Sequence, residues 1–107
     1  IKVTQTSDYP PGPYEPLMAI QSSVTRIDYT GKSWGTNQRV SVEEAIKIGT
    51  MHGAYASYEE NKKGSITAGK YADMVVFNKD PTKVDPGTIM QLKIERTMAG
   101  GQWVYES

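Results

Sequence analysis

At 107 residues the chain has room for one small domain and not for a (β/α)8 barrel, which takes about 200 residues or more. Twelve basic and twelve acidic side chains cancel, and no run of Lys and Arg appears, which argues against nucleic acid or an anionic membrane as a partner, because both are bound through clustered positive charge. The absence of cysteine excludes a disulfide framework and a thiolate metal site, no apolar stretch approaches the roughly 20 residues of a membrane span, and a cytoplasmic location is expected.

Residues 1–6 are rich in β-branched side chains, with Ile1 and Val3 on one face, and predict a short strand ending at Ser7-Asp8. A chain that opens inside a strand is expected to be a piece of a longer protein whose upstream part is its natural partner. Tyr9 to Pro16 holds four prolines and a glycine and reads as a loop. Pro16 suits the first turn of a helix, and Leu17, Ile20 and Val24 follow at helical spacing until the pattern fades near Arg26. Residues 28–39 are polar, contain Gly31 and Gly35, and form a second predicted loop.

Ser41-Val42-Glu43-Glu44 matches a capping box and opens the best-defined helix, with Val42, Ala45, Ile46 and Gly49 on one face. Gly53 interrupts the pattern, and a helical turn is expected over Ala54 to Tyr58. From Gly64 the texture changes to short β segments: Gly64-Ser65-Ile66, a turn at Gly69-Lys70, then a strand over Ala72 to Phe77 with apolar residues on both faces. Asp80-Pro81 ends it. Ile89 to Leu92 forms one helical turn, and Gly100-Gly101 marks a hairpin between Lys93–Ala99 and Gln102–Tyr105.

His52 is the sole histidine. Hydrolytic zinc sites take three protein ligands in which His dominates, so this chain does not supply a complete one. His52 reads instead as a helix-terminal side chain bonded to a carbonyl or water. A Ser/His/Asp triad lacks any G-x-S-x-G elbow to support it. No Asp-rich calcium loop and no phosphate-binding glycine loop are present. Asp8 differs, because it closes an apolar strand and opens a Pro-rich loop, the position at which parallel α/β architectures carry their chemistry. An Asp there can ligate a metal and relay a proton, or simply cap the loop. Asp73 reads as a turn-fixing carboxylate, and Tyr55, Tyr58, Trp103 and Tyr105 as packing residues.

Several runs together resemble the end of an amidohydrolase-3 type enzyme of the amidohydrolase superfamily. They are Thr6-Ser7-Asp8-Tyr9-Pro10, Trp34-Gly35 through Ala45, Gly53-Ala54-Tyr55-Ala56, Gly64-Ser65-Ile66-Thr67-Ala68-Gly69-Lys70-Tyr71-Ala72-Asp73-Met74-Val75-Val76 and Gly100-Gly101-Gln102-Trp103-Val104-Tyr105. The resemblance covers nearly the whole chain in the family's order and does not identify a substrate. It implies an α+β piece in which residues 1–63 are the end of a metal-dependent hydrolase barrel, the last strand and helices of a (β/α)8 fold. Residues 64–107 would be the C-terminal strands of a small composite β-sandwich. It further implies that Asp8 is both metal ligand and catalytic acid–base, that the full-length protein holds a divalent metal such as zinc, and that the reaction is hydrolysis of a C–N bond in a small amide-like molecule. The isolated chain is expected to be inactive, to bind no metal tightly, and to self-associate through residues 1–6 and the Leu17/Ile20/Val24 face. The competing expectation is a non-catalytic β-rich interaction or scaffold module, in which Asp8 is only a loop residue.

Overall fold

The first helix starts where proline permits it. A computed structural model describing residues 1–107 places α1 at Pro16–Thr25, with Pro16 in the first turn, where a missing N–H forfeits no helical bond. It stops at Arg26, whose left-handed backbone (φ 59°) lets its N–H donate to the Ser22 carbonyl at 2.8 Å. α2 spans Val42–Gly49. The Ser41 hydroxyl accepts the Glu44 N–H at 3.1 Å, and Glu43 and Glu44 set negative charge on the positive end of the helix. After a break at Thr50, α3 covers Met51–Ala56. It begins at Met51 rather than Ala54, because one glycine weakens a helix by only about 1 kcal/mol and Gly53 is absorbed into it.

The other layer is a three-stranded antiparallel sheet in the order β1-β2-β3, with β1 at Met74–Phe77, β2 at Ile94–Ala99 and β3 at Gln102–Glu106. The β2–β3 hairpin turns on Gly100 and Gly101, both at positive φ (56° and 82°), as a type I′ turn requires. A 3-10 helix at Pro86–Gln91 leads into β2. Asp85 caps it by accepting the Gly87 N–H at 2.8 Å, and it packs on α1, where the Gln21 side chain accepts the Met90 N–H at 2.9 Å. The buried core consists of Ala45, Ala54, Ile89 and Leu92, and none of it precedes residue 41. No helix is long and apolar enough to cross a membrane.

The architecture is therefore α+β, but three local expectations change. Residues 1–6 form no strand, because a strand needs a laddered neighbour and this chain offers none there. Ala72 to Phe77 is not buried on both faces: β1 is an edge strand and Val75 is 45% exposed. Gly64-Ser65-Ile66 is irregular, since Gly64 stands at φ 92° and the chain turns again where Lys70 N–H donates to the Thr67 carbonyl.

Candidate active-site segment around Asp8

Residues 2–5 lie across the face of α2 and α3. The Lys2 ammonium sits 3.8 Å from the centre of the Tyr55 ring, and His52 Nδ1 is 2.8 Å from the Val3 carbonyl oxygen. A side-chain carbon at Gly53 would meet Thr4 Oγ1 at 3.5 Å, and one at Gly49 would meet Gln5 Oε1 at 3.6 Å. The segment thus runs antiparallel to the helices, from Tyr55 at Lys2 back to Gly49 at Gln5, and lands on Asp8.

Asp8 occupies the left-handed region, at φ 51°. Asp tolerates that conformation better than most residues, though it still stores some strain. Hydroxyls on either side steady the turn: Asp8 N–H donates to Thr6 Oγ1 and Tyr9 N–H to Ser7 Oγ, each at 3.3 Å. The Tyr9 and Tyr14 rings then meet edge to face, 5.6 Å apart. The Asp8 carboxylate itself accepts no hydrogen bond and makes no ion pair within the chain. A groove of about 330 Å3 adjoins the turn, lined by Thr6, Ser7, Tyr14, Met18 and Trp34 among others.

The remaining singled-out residues are structural. The Asp73 carboxylate accepts the Gly100 N–H at 2.7 Å, while the Ala72 carbonyl accepts the Gly101 N–H at 3.0 Å, so the signature run holds the hairpin turn as expected of a turn-fixing group. Gly64 lies so close to α3 that a Cβ there would come within 2.8 Å of the Ala54 Cβ. Lys70 Nζ donates to Ser65 Oγ at 2.9 Å. The His52 ring is bonded to a carbonyl, but one that lies 49 residues upstream.

One organising residue lay outside the sequence expectations. Asp28 accepts from the Thr30 hydroxyl (2.6 Å), the Thr30 N–H (2.8 Å), the Lys32 N–H (3.0 Å) and the Trp34 indole N–H (2.8 Å). The Thr30 hydroxyl, followed by the indole, holds its carboxyl far below the usual range. Asp80 repeats the device: Thr82 gives it both its hydroxyl and its N–H, and its pKa is lowered for that reason. The shared signal, Asp-x-Thr, was legible in both loops.

No three His, Asp or Glu side chains gather closely enough to hold a metal ion. Asp8 and His52 belong to opposite ends of the same segment contact, and the structure does not join them into a ligand pair. Asp8 would offer a metal a carboxylate that no group in the chain engages, chemically suited as a single oxygen ligand and not as a whole site.

Comparison with known proteins places these features in a wider frame. The sequence profile of the Amidohydrolase family matches residues 1–105. YtcJ of Bacillus subtilis (strain 168), a protein named as an amidohydrolase, is 39% identical over 103 residues, which is 94% of this chain and 20% of that protein. The N-substituted formamide deformylase of Arthrobacter pascens is 32% identical over 106 residues, 99% of this chain and 20% of the enzyme. The crystal structure of an amidohydrolase from Thermotoga maritima MSB8 superimposes with a TM-score of 0.55 at 30% identity, covering 66% of this chain and 17% of that one. The chain spans about a fifth of the length of the curated relatives it matches. Matched from residue 1 to residue 105, the chain belongs to the amidohydrolase family.

Proposed function

We propose that this chain is the C-terminal part of a metal-dependent hydrolase that cleaves a C–N bond in a small amide-like or N-acyl substrate, in a cytoplasmic setting. The observation that carries the reading is the family match over residues 1–105, joined by a relative named as a formamide deformylase that aligns over 99% of the chain. Residues 1–63 are assigned to the end of a (β/α)8 barrel and residues 64–107 to a β-sandwich shared with upstream sequence. Two observations favour that division. Residues 1–6 are extended but have no ladder partner, and β3 is exposed along its whole length. Both await neighbours, and four buried residues are too small a core to offset the ordering of 107. The upstream part of the same protein is the proposed partner, with self-association the expected behaviour of the chain without it.

Asp8 is the residue assigned to the chemistry. A divalent ion such as zinc, when bound, brings water near neutrality in pKa and polarises a carbonyl. Asp8 contributes one carboxylate oxygen as ligand, and the other ligands come from outside this chain. A carboxylate Oδ accepts a proton from the attacking water and returns it to the departing nitrogen, acting as base and then as acid. The Thr6 and Ser7 hydroxyls keep the turn in place, and the groove beside them borders the space a substrate would enter.

The test compares two forms. The full-length protein should bind a divalent metal stoichiometrically and hydrolyse at least one member of a panel of N-substituted formamides and N-acyl amines. The 107-residue chain should do neither. Calorimetry showing one zinc ion bound by the chain alone at submicromolar affinity would overturn the assignment of a single ligand, and a full-length protein free of metal yet active would overturn the mechanism.

A further inference from the structure

His52 holds the segment that carries Asp8. A carbonyl oxygen only accepts, so in the 2.8 Å contact with Val3 it is Nδ1 of the imidazole that bears the proton and donates. This is the one hydrogen bond that ties residues 1–13 to the rest of the chain. Gly49 at the end of α2 and Gly53 in α3, four residues apart and on either side of His52, lie beside the Gln5 and Thr4 side chains where the segment crosses. Lys2 on Tyr55 continues the same line of contact. Four residues separate Val3 from Asp8, at most about 18 Å of chain. Loss of this bond removes what sets residues 2–8 against α2 and α3, and a misplacement of about 1 Å in a reacting group costs on the order of 100-fold in rate.

We propose that His52 is a positioning residue for Asp8: its Nδ1–H fixes the Val3 carbonyl and through it the register of residues 2–8 against α2 and α3. The proposal rests on the reading of Asp8 as a metal-binding carboxylate. In it His52 acts through the Val3 carbonyl.

The experiment uses the full-length protein with His52→Asn, His52→Gln, His52→Ala and, as reference, Asp8→Asn. An Asn carboxamide nitrogen takes the place of Nδ1, whereas that of Gln takes the place of Nε2. Two quantities are read: amide hydrogen exchange in the peptide carrying residues 2–8, and the rate at which bound zinc is lost to a chelator. His52→Ala and His52→Gln should raise exchange in residues 2–8 about two- to tenfold, the factor that one net hydrogen bond provides, and should speed zinc loss. His52→Asn should restore both, and exchange in β1–β3 should not change in any variant. Unchanged exchange in His52→Ala, or an Asn variant no better than Ala, would overturn the proposal. Faster zinc loss in Asp8→Asn with normal zinc retention in His52→Ala would also overturn it while leaving Asp8 in place. Looser residues 2–8 with zinc retention normal in both variants would leave the tether standing and remove Asp8 from the metal.

Discussion

In residues 64–107 nearly every turn is closed from within. Asp73 and Ala72 hold Gly100 and Gly101, Asn78 accepts the Lys93 N–H at 2.9 Å, and Asp85 caps the 3-10 helix that follows it. In residues 1–13 the hydrogen bonds are either local to the Thr6–Tyr9 turn or the single contact from His52. The first region carries its instructions in its own sequence. The second is extended, exposed and strained at Asp8, and its order depends on what it lies against. A region that spends little on its own stability and keeps an unengaged carboxylate at a left-handed turn is where a functional group is expected, whereas a region that closes nearly all its turns is expected to act as scaffold.

The sharpest way to break the scaffold half is Gly64→Ala. At φ 92° an L side chain is strained, and the new methyl would overlap the Ala54 Cβ at 2.8 Å and approach the Met51 Cα at 3.1 Å, both on α3. The expected loss is about 2–4 kcal/mol, read by denaturant unfolding of the full-length protein. A change under about 0.5 kcal/mol would mean that the loop leaving α3 is not locked by this contact. Ser41→Ala should cost less, about 1 kcal/mol, through the lost cap on α2, and Ser41→Asp should recover most of it. Equal stability of the Ala and Asp variants would deny the cap its role.

The smallest effect belongs to the loop of residues 28–34. Asp28 titrates below its ordinary 3.8 in the folded chain, chiefly because the Thr30 hydroxyl and the Trp34 indole bond its charged form. A depressed folded pKa gives stability that is complete above the unfolded value and is lost as pH falls through the folded one. The carboxyl signal of Asp28 should therefore remain that of the ionised form at about pH 3, where an ordinary Asp is mostly protonated. A midpoint at or above 3.8 would show that the loop does not hold the carboxylate.

The same contrast explains how much was legible in advance. The Ser41 cap, the proline start at Pro16 and the glycine pair at Gly100-Gly101 are local rules, and each appears where the spacing put it, although the return bond from the Glu44 side chain that would complete a capping box does not form. Asp73 was readable as a turn-fixing group because its partner lies in the same compact unit. Residues 1–6 have strand composition, but composition supplies no ladder, and pairing is a property of neighbours. The two-sided apolar pattern of Met74 to Phe77 predicts burial that the edge position of β1 does not provide. The contact of His52 with Val3 joins positions 49 residues apart and leaves no periodic trace. Asp8 was legible as a candidate because it follows a strand-like run, opens a Pro-rich loop and falls in the Thr6–Pro10 stretch that resembles the family, and the structure adds its free carboxylate and its φ of 51°.

The division into scaffold and site is tested most directly by one paired measurement in the full-length protein, Asp8→Asn against Asp73→Asn, with turnover, metal content and thermal stability read on the same preparations. Asp8→Asn keeps the side-chain shape but removes the negative charge and the basicity that the proposed role of Asp8 requires. Its kcat should fall by about 10^2 to 10^4 with stability unchanged, and metal content should fall with it. Asp73→Asn weakens the bond to the Gly100 N–H and should lower stability by about 1 kcal/mol while turnover per folded molecule remains within a few-fold of normal. Near-normal turnover in Asp8→Asn together with abolished turnover in a fully stable Asp73→Asn would reverse the assignment.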